Sequence, residues 1–396
     1  MIEIKDKVKC CGCWACVNAC PKNCIQMVSD DEGFHYPVAD RSICIECGKC
    51  DKVCPLLKPR LEEKPLLGSF VIQNKDREIL RHSTSGGFYT ALSKYIISLG
   101  GVVFGAAYDD GMVLRHTYSE SYEGCMKFRG SKYVQSLIGD SYKQTKSFLD
   151  SDRYVAFSGT PCQVAGLVGY LGNRQYEKLI LVDFVCRGTP SPKVLNKYLS
   201  WHNSRHGGQP ISWLSRDKYF GYDMSSATIL YKDGSCSHHG TKSDDLMLNA
   251  YFQGLISRPS CYDCHFKTLH RLSDLTLFDC WNAKSVSAAF LRNGATNVFV
   301  HSEKGEAVFG QIKNEFILAE SDVEKIIKRD GIMIFQNPPK SSKREDFFSD
   351  MNAEVSIPQL WDKYCKTSIL NGLVSKIKPL LYRLGLWSLY MGYKQR

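Results

Sequence analysis

A chain of 396 residues with 43% apolar and 12% aromatic side chains can bury a sizeable core and is too hydrophobic to be disordered. Its formal charge of +10 is concentrated at one end: Lys363, Lys366, Lys376, Lys378, Arg383, Lys394 and Arg396 follow one another with no acid between them, which argues against a nucleic-acid-binding domain and for a local docking surface. Eighteen cysteines, no apolar leader after Met1 and no run near eighteen apolar residues point to a cytoplasmic protein that spends its thiols on metal and not on disulfides.

Ten of the cysteines lie in the first 54 residues. Two runs stand out, Cys10-x2-Cys13-x2-Cys16-x3-Cys20-Pro21 and Cys44-x2-Cys47-x2-Cys50-x3-Cys54-Pro55, an internal repeat 34 residues apart. Short spacings let three thiolates converge on one face of a cubane, and the proline turns the chain away so that the fourth sulfur serves the other cluster. The expected ligand sets are therefore Cys10, Cys13, Cys16 and Cys54 for one [4Fe–4S] cluster, and Cys44, Cys47, Cys50 and Cys20 for a second. Tetrahedral zinc sites use paired CxxC units and not a triple run ending in x3-Cys-Pro, so clusters are the preferred reading. The runs resemble those of bacterial two-cluster ferredoxins. Cys11 and Cys24 fall outside the pattern and are expected to be buried as small hydrophobes. The charged, proline-flanked stretch 58–65 reads as a linker.

Beyond it the pattern becomes α/β. A strand is expected over 70–72, a loop over 82–87, and a helix over 88–96 with apolar positions at i, i+4 and i+7. Residues 102–107, 154–157 and 179–182 read as further strands, the last two leading through proline-containing turns into helices at Pro161 and Pro192. The expectation is an at least partly parallel sheet. Ser83-Thr-Ser-Gly-Gly87 before a helix can cradle an anion, or be no more than a cap and turn. Cys162 and Cys186 each follow a strand; if those strands are parallel neighbours, both thiols stand at the carboxyl ends, where α/β folds place ligands. With Cys261-Tyr-Asp-Cys264 they could complete a third [4Fe–4S] site. The alternative is two core cysteines and a separate zinc clip.

Five motifs appear in order: Ser83-Thr-Ser-Gly-Gly87, Arg129-Gly-Ser-Lys-Tyr-Val-Gln-Ser136, Phe157-Ser-Gly-Thr-Pro-Cys-Gln163, Asp183-x2-Cys186-x-Gly-x-Pro-Ser-Pro192 and Ser260-Cys-Tyr-Asp-Cys-x-Phe266. Through them the chain resembles the coenzyme F420 hydrogenase/dehydrogenase β-subunit family, fused to a two-cluster ferredoxin module. The fold class this implies is α+β/α/β, a two-cluster ferredoxin-like module joined to a larger β-subunit-like flavin domain with a mixed sheet. The expected domains are 1–57, 66–345 and a basic tail over 346–396. The resemblance implies FAD, with Ser85, Gly86 and Gly87 near its phosphates or isoalloxazine. Ser131, Lys132 and Tyr133 match a second flavin-contacting motif, in which the lysine would stabilise a reduced, anionic ring. It also implies that Cys162, Cys186, Cys261 and Cys264 hold the core cluster.

The function implied is an iron–sulfur flavoprotein oxidoreductase that passes electrons between clusters and FAD to a small-molecule substrate or a deazaflavin. A low-potential donor such as ferredoxin or reduced deazaflavin would be its partner, and no catalytic residue is singled out. The other reading is a non-catalytic electron-transfer subunit of a larger complex; a redox sensor is disfavoured because no DNA-binding module is visible. The chain departs from the family where relatives carry Gly-Asp-Phe-Trp-Gly: it has Phe278-Asp279-Cys280-Trp281-Asn282, with Cys280 expected to be buried. At the end, Arg344, Phe347 and Phe348 are expected to anchor the segment that closes the large domain. The stretch 369–393 is expected to form two short helical pieces interrupted at Pro379 and Gly385, either docking on a membrane surface or partner or packing on its own domain.

Overall fold

The repeat read from the cysteines is visible in the backbone of the computed structural model. Gly12 and Trp14 take positive φ (67° and 63°), and so do their counterparts Glu46 and Gly48 (53° and 67°). A left-handed residue on either side of the second cysteine curls each run, and its three thiols face one cavity. Each run ends in a one-turn helix, Ala15–Ala19 and Lys49–Val53, and the two helices pack together. Between them β1 (Ile25–Ser29) and β2 (His35–Ala39) form an antiparallel hairpin.

The structure describes residues 1–60, 65–172, 174, 176–222, 226–241, 245–366 and the single residues 377, 380, 381, 384 and 386. The large body contains β3 (Gly68–Asn74), β4 (Val102–Tyr108), β5 (Leu114–Ser119), β6 (Val155–Gly159) and β7 (Leu179–Phe184). Then β8 (Pro210–Asp217), β9 (Ser226–Tyr231) and β10 (Cys236–Thr241) form a separate antiparallel sheet. Finally β11 (Leu275–Cys280), β12 (Ala295–Val300) and β13 (Phe316–Glu320) return to the first sheet, whose order is β13-β3-β12-β11-β7-β6-β4-β5. Its centre, β4-β6-β7-β11, is parallel, and the flanking pairs are antiparallel. A parallel centre covered on both faces explains why these strands read as continuous apolar runs. The sheet is mixed, as expected, and the helix expected over 88–96 is Phe88–Ser98.

The pairing of β6 with β7 is parallel, Val155 opposite Leu179 through Gly159 opposite Asp183. Each strand feeds a helix whose first turn is fixed by its sequence. Thr160 and Gln163 form a capping box around Pro161 at the start of Pro161–Leu171, and the Ser191 hydroxyl caps Pro192–His206. Cys162 is thereby set in a helix's first turn at the carboxyl end of β6, and Cys186 in the loop that leaves β7.

The core does not stop at residue 345, where the tail was expected to begin. Phe347, Phe348, Met351, Ile357, Leu360 and Tyr364 are buried in the same cluster as Trp213 and Tyr198, so the packed body continues to Cys365. Residues 61–64 of the expected linker lie outside the described residues. So does the amphipathic stretch 369–393, apart from the five single residues named above. Among the described residues no helix is long and apolar enough to cross a membrane.

The small module is held to the large body by buried polar contacts. Arg344 grips Glu32 with both terminal nitrogens and also donates to the Ser257 carbonyl (3.1 Å). Ser191 donates to the Glu32 carbonyl, and the Asn18 amide to that of Gly139 (2.8 Å). Arg344 is only 4% exposed, so removing its carboxylate leaves a buried cation unpaired. Glu32→Ala is expected to destabilise the folded chain by about 3 kcal/mol, read as a lower midpoint in urea unfolding, with the double replacement E32M/R344M costing markedly less.

Candidate functional site

Three cavities are ringed by cysteine, and each collects thiols from distant parts of the chain. The first, about 340 Å³, is lined by Cys20, Cys44, Cys47 and Cys50, with Cys24 and Met1. The second, about 350 Å³, is lined by Cys10, Cys13, Cys16 and Cys54, with Cys11. The third, about 600 Å³, is lined by Cys162, Cys186, Cys261 and Cys264, again with Cys11. The fourth cysteine of each amino-terminal run thus faces the cavity of the other run. Among the described residues no group of three or more His, Cys, Asp or Glu side chains is placed to hold a single metal ion. The thiols stand instead around wider spaces.

Local structure brings the third set together. Gly188 has φ +122°, and a Cβ there would stand 3.1 Å from the Cβ of Cys261. Only glycine lets the loop after Cys186 approach so closely. The Gly188 N–H points to the Cys186 sulfur at 3.2 Å, the Thr160 hydroxyl lies 3.1 Å from that of Cys162, and the Thr189 hydroxyl lies 3.8 Å from that of Cys261. In the first cavity the Ile2 N–H donates to the Cys50 sulfur at 3.2 Å.

Crowding has an electrostatic consequence. Burial, then the neighbouring Cys162, pushes the Cys264 thiol up to about 12. Its contact with Cys20, then burial, pushes Cys24 up to about 12. Contact with Cys11, then burial, raises Cys162 strongly. Buried thiols that face one another resist ionisation unless a cationic centre stands among them. That is the condition a thiolate-bound iron–sulfur cluster meets, and the middle set, where Cys13, Cys16 and Cys54 are raised, and the inner set, where Cys162 and Cys264 are, fit one in this respect.

Cys11 and Cys24, expected as inert core residues, stand at cavity walls. The Cys11 thiol contacts those of both Cys13 and Cys162, which places it where the second and third cavities adjoin.

The six residues expected near a flavin are brought together, though mostly through bonds within the protein. The Ser131 N–H donates to the Thr84 hydroxyl at 2.8 Å and joins the two loops. Ser85 donates to Asp279, and the Gly86 N–H donates to Thr296 Oγ1 at 2.8 Å, so neither offers that donor to an anion. Gly86 is required by packing, since a Cβ would meet the Ile72 carbonyl at 2.4 Å. Gly87, φ +81°, precedes the helix Phe88–Ser98. Ser215 donates to the Ser131 carbonyl (2.8 Å) and accepts the Tyr133 N–H (3.3 Å).

Asp279 organises this region: it accepts from Ser85 and Tyr222 and pairs with Arg216 at 2.8 Å. The guanidinium of Arg216 in turn lies over the Trp281 ring at 4.5 Å. Asp279 and Trp281 are the two residues of the departed motif that survive. Cys280 is buried, as expected. Lys132 donates to the Lys127 and Arg129 carbonyls, and Lys218 to those of Leu80 and Ser85. Burial pulls both ammonium groups down to about 7, and neither has a carboxylate within salt-bridge distance among the described residues. Two such cations flanking Thr84 and Ser85 suit an anionic ligand. Sequence reading did not single out Arg216 and Lys218, because nothing in Ser215-Arg-Asp-Lys218 distinguishes them from an ordinary charged strand end.

Two family models match stretches of this chain. Residues 9–56 match the 4Fe-4S dicluster domain, and residues 152–326 match the family model for the C-terminal part of the beta subunit of coenzyme F420 hydrogenase/dehydrogenase. Together these spans contain the twelve cysteines of the three sets. NADH-quinone oxidoreductase subunit I 2 of Geobacter metallireducens is 31% identical over 78 residues, which are 18% of this chain and 56% of that protein. This chain therefore spans little more than half the length of that relative. A chain from the xenon-derivatised F420-reducing [NiFe] hydrogenase complex of Methanosarcina barkeri aligns with 74% of this chain and 94% of its own, at 17% identity and a TM-score of 0.46.

The pair at Asp279 is open to a direct test. Arg216 is 4% exposed on its side chain, so Asp279→Ala is expected to cost about 3 kcal/mol through the orphaned guanidinium. D279N, which keeps an acceptor for Ser85 and Tyr222, should cost less. Urea unfolding at unchanged slope reads both.

Proposed function

In a chain whose residues 152–326 belong to the coenzyme F420 hydrogenase/dehydrogenase beta-subunit family and whose residues 9–56 are a 4Fe-4S dicluster domain, we propose an iron–sulfur flavoprotein oxidoreductase. It would hold three [4Fe–4S] clusters and one FAD and act on a small-molecule substrate or a deazaflavin. The observation that carries this reading is the succession of three cysteine-ringed cavities, two of them adjoining at Cys11. When bound, cubanes carry single electrons and a flavin converts between one- and two-electron chemistry.

The chain's own residues set the order. Cys20, Cys44, Cys47 and Cys50 form the outermost set, since Cys47 is exposed, and a low-potential donor such as ferredoxin would dock there. Cys10, Cys13, Cys16 and Cys54 form the middle set. Cys162, Cys186, Cys261 and Cys264 form the inner one, at the carboxyl ends of β6 and β7. Ser85, Gly86 and Gly87 shape the flavin loop without donating through the bonds already spent. Lys132 and Lys218 would neutralise the flavin's phosphates or a reduced ring, and Ser131 and Tyr133 would border it. The working division is a module over 1–57 and a flavin and iron–sulfur domain from residue 66, extended by its packing from 345 to Cys365.

A second reading is an electron-transfer subunit within a larger redox complex, with no substrate of its own. It is favoured by the relatives' names, a beta subunit for the matched family and a subunit I for the Geobacter protein.

Flavin binding separates the two. Lysines that titrate near 7 without a ligand hold an anion only while protonated, so FAD affinity is expected to be highest below pH 7 and to fall as pH rises above it. The double variant K132M/K218M is expected to bind FAD at least tenfold more weakly and with little pH dependence. Fluorescence titration under anaerobic conditions measures both. A chain that retains its iron but binds no FAD at pH 6 would contradict the flavoprotein reading and leave the electron-transfer subunit.

A further inference from the structure

Four arginines are buried among the described residues. Three of them pair with a carboxylate: Arg216 with Asp279, Arg271 with Asp183, and Arg344 with Glu32. The fourth, Arg258, is fully buried and has none. Its Nε donates to the Cys10 carbonyl at 2.8 Å, Nη1 to Gln135 Oε1 at 3.0 Å and Nη2 to the His35 carbonyl at 3.0 Å. Its guanidinium lies 4.2 Å from the Tyr36 ring centre. All of these partners are neutral.

The first cysteine run is built to press on this side chain. A Cβ on Gly12 would stand 2.9 Å from Arg258 Nη1, at a residue with φ +67°. The Arg258 carbonyl accepts the Cys261 N–H at 2.9 Å in the turn Pro259–Cys261, so its backbone meets the loop of the inner set while its guanidinium lies against the first cysteine run. An arginine never loses its proton in a protein, and an uncompensated buried charge is strongly disfavoured. A negatively charged cluster held by the Cys10 set, whose first carbonyl Arg258 binds, would supply the countercharge that its neutral partners do not.

We propose that Arg258 is a positioning residue whose fixed charge raises the reduction potentials of the clusters held by the Cys10 and Cys162 sets relative to that held by the Cys20 set. The inference rests on the cluster reading above. A cation at fixed distance stabilises the reduced, more negative cluster over the oxidised one. It therefore makes the middle and inner sets the favoured resting place for electrons, which then move inward from the exposed Cys47 end. The residue holds no electron; it acts through charge and through the path of residues 10–12.

The test is an EPR-monitored redox titration of the full chain, purified anaerobically, as wild type, R258K and R258M. Iron and sulfide are measured on each sample, and C47S serves to assign the outer cluster's signal. R258M is expected to make reduction of at least one inward cluster tenfold or more less favourable, about 59 mV for one electron. The outer signal should stay in place and R258K should restore most of the shift. Full iron in R258M with all midpoints unmoved would overturn the proposal, and so would R258K shifting as far as R258M, because that marks packing and not charge. If R258M fails to load iron, R258Q reads the same shift. If both neutral variants lose iron that R258K keeps, the charge serves cluster loading and not the potentials, and if R258K loses it too, the role is structural; either result overturns the proposal. Wild-type chain without about twelve irons would instead fault the cluster reading on which the inference rests.

Discussion

Twelve cysteine thiols drawn from five separate stretches of chain converge on three cavities, and most of the surrounding structure answers that constraint. Thiols buried face to face cannot ionise together without a cation among them. The left-handed residues at 12, 14, 46 and 48 aim them, and Gly188 permits Cys261 to approach Cys186. Donors such as the N–H groups of Ile2 and Gly188 point at sulfur. The position of Arg258 follows from the same balance of charge.

The parallel centre of the large sheet supplies the inner set. Because β6 and β7 are parallel neighbours, their following turns lie side by side, and Cys162 and Cys186 arrive at one place. The loop of residues 259–264 then closes over them. The loops 83–87 and 129–133 meet through Thr84 and Ser131 and are tied to β8 and β11 by Ser215, Arg216 and Asp279. Asp279 therefore ties these loops together as the cysteines tie theirs. It is the residue on which three segments agree.

Much of this was legible in sequence for identifiable reasons. Cysteine spacing is a local signal, so both runs and the exchange of their fourth members could be read directly. The buried strands announced themselves as apolar runs, and Pro161 and Pro192 marked helix starts. What could not be read depends on contacts between distant segments. The sheet β8-β10 has no clean alternation, and beyond the expected anchors Phe347 and Phe348 the core goes on through Met351, Ile357, Leu360 and Tyr364 in the cluster of Trp213. Cys11 reads as one more small apolar residue until Cys162 is folded against it. Arg258 carries no motif at all; only its burial without a carboxylate distinguishes it. Ser85 and Gly86 looked like anion donors from sequence, whereas their hydrogen bonds go to Asp279 and Thr296.

That the three cavities hold three cubanes, the inner one included, is open to a direct count. Iron and acid-labile sulfide, counted per chain after anaerobic purification of wild type and of the double variant C162A/C186A, address it most directly. About twelve irons and twelve sulfides are predicted in the wild type and about eight of each in the variant, since each cubane contributes four. Eight irons in both, with one zinc per chain in each, would contradict it and leave Cys261 and Cys264 as part of a zinc site.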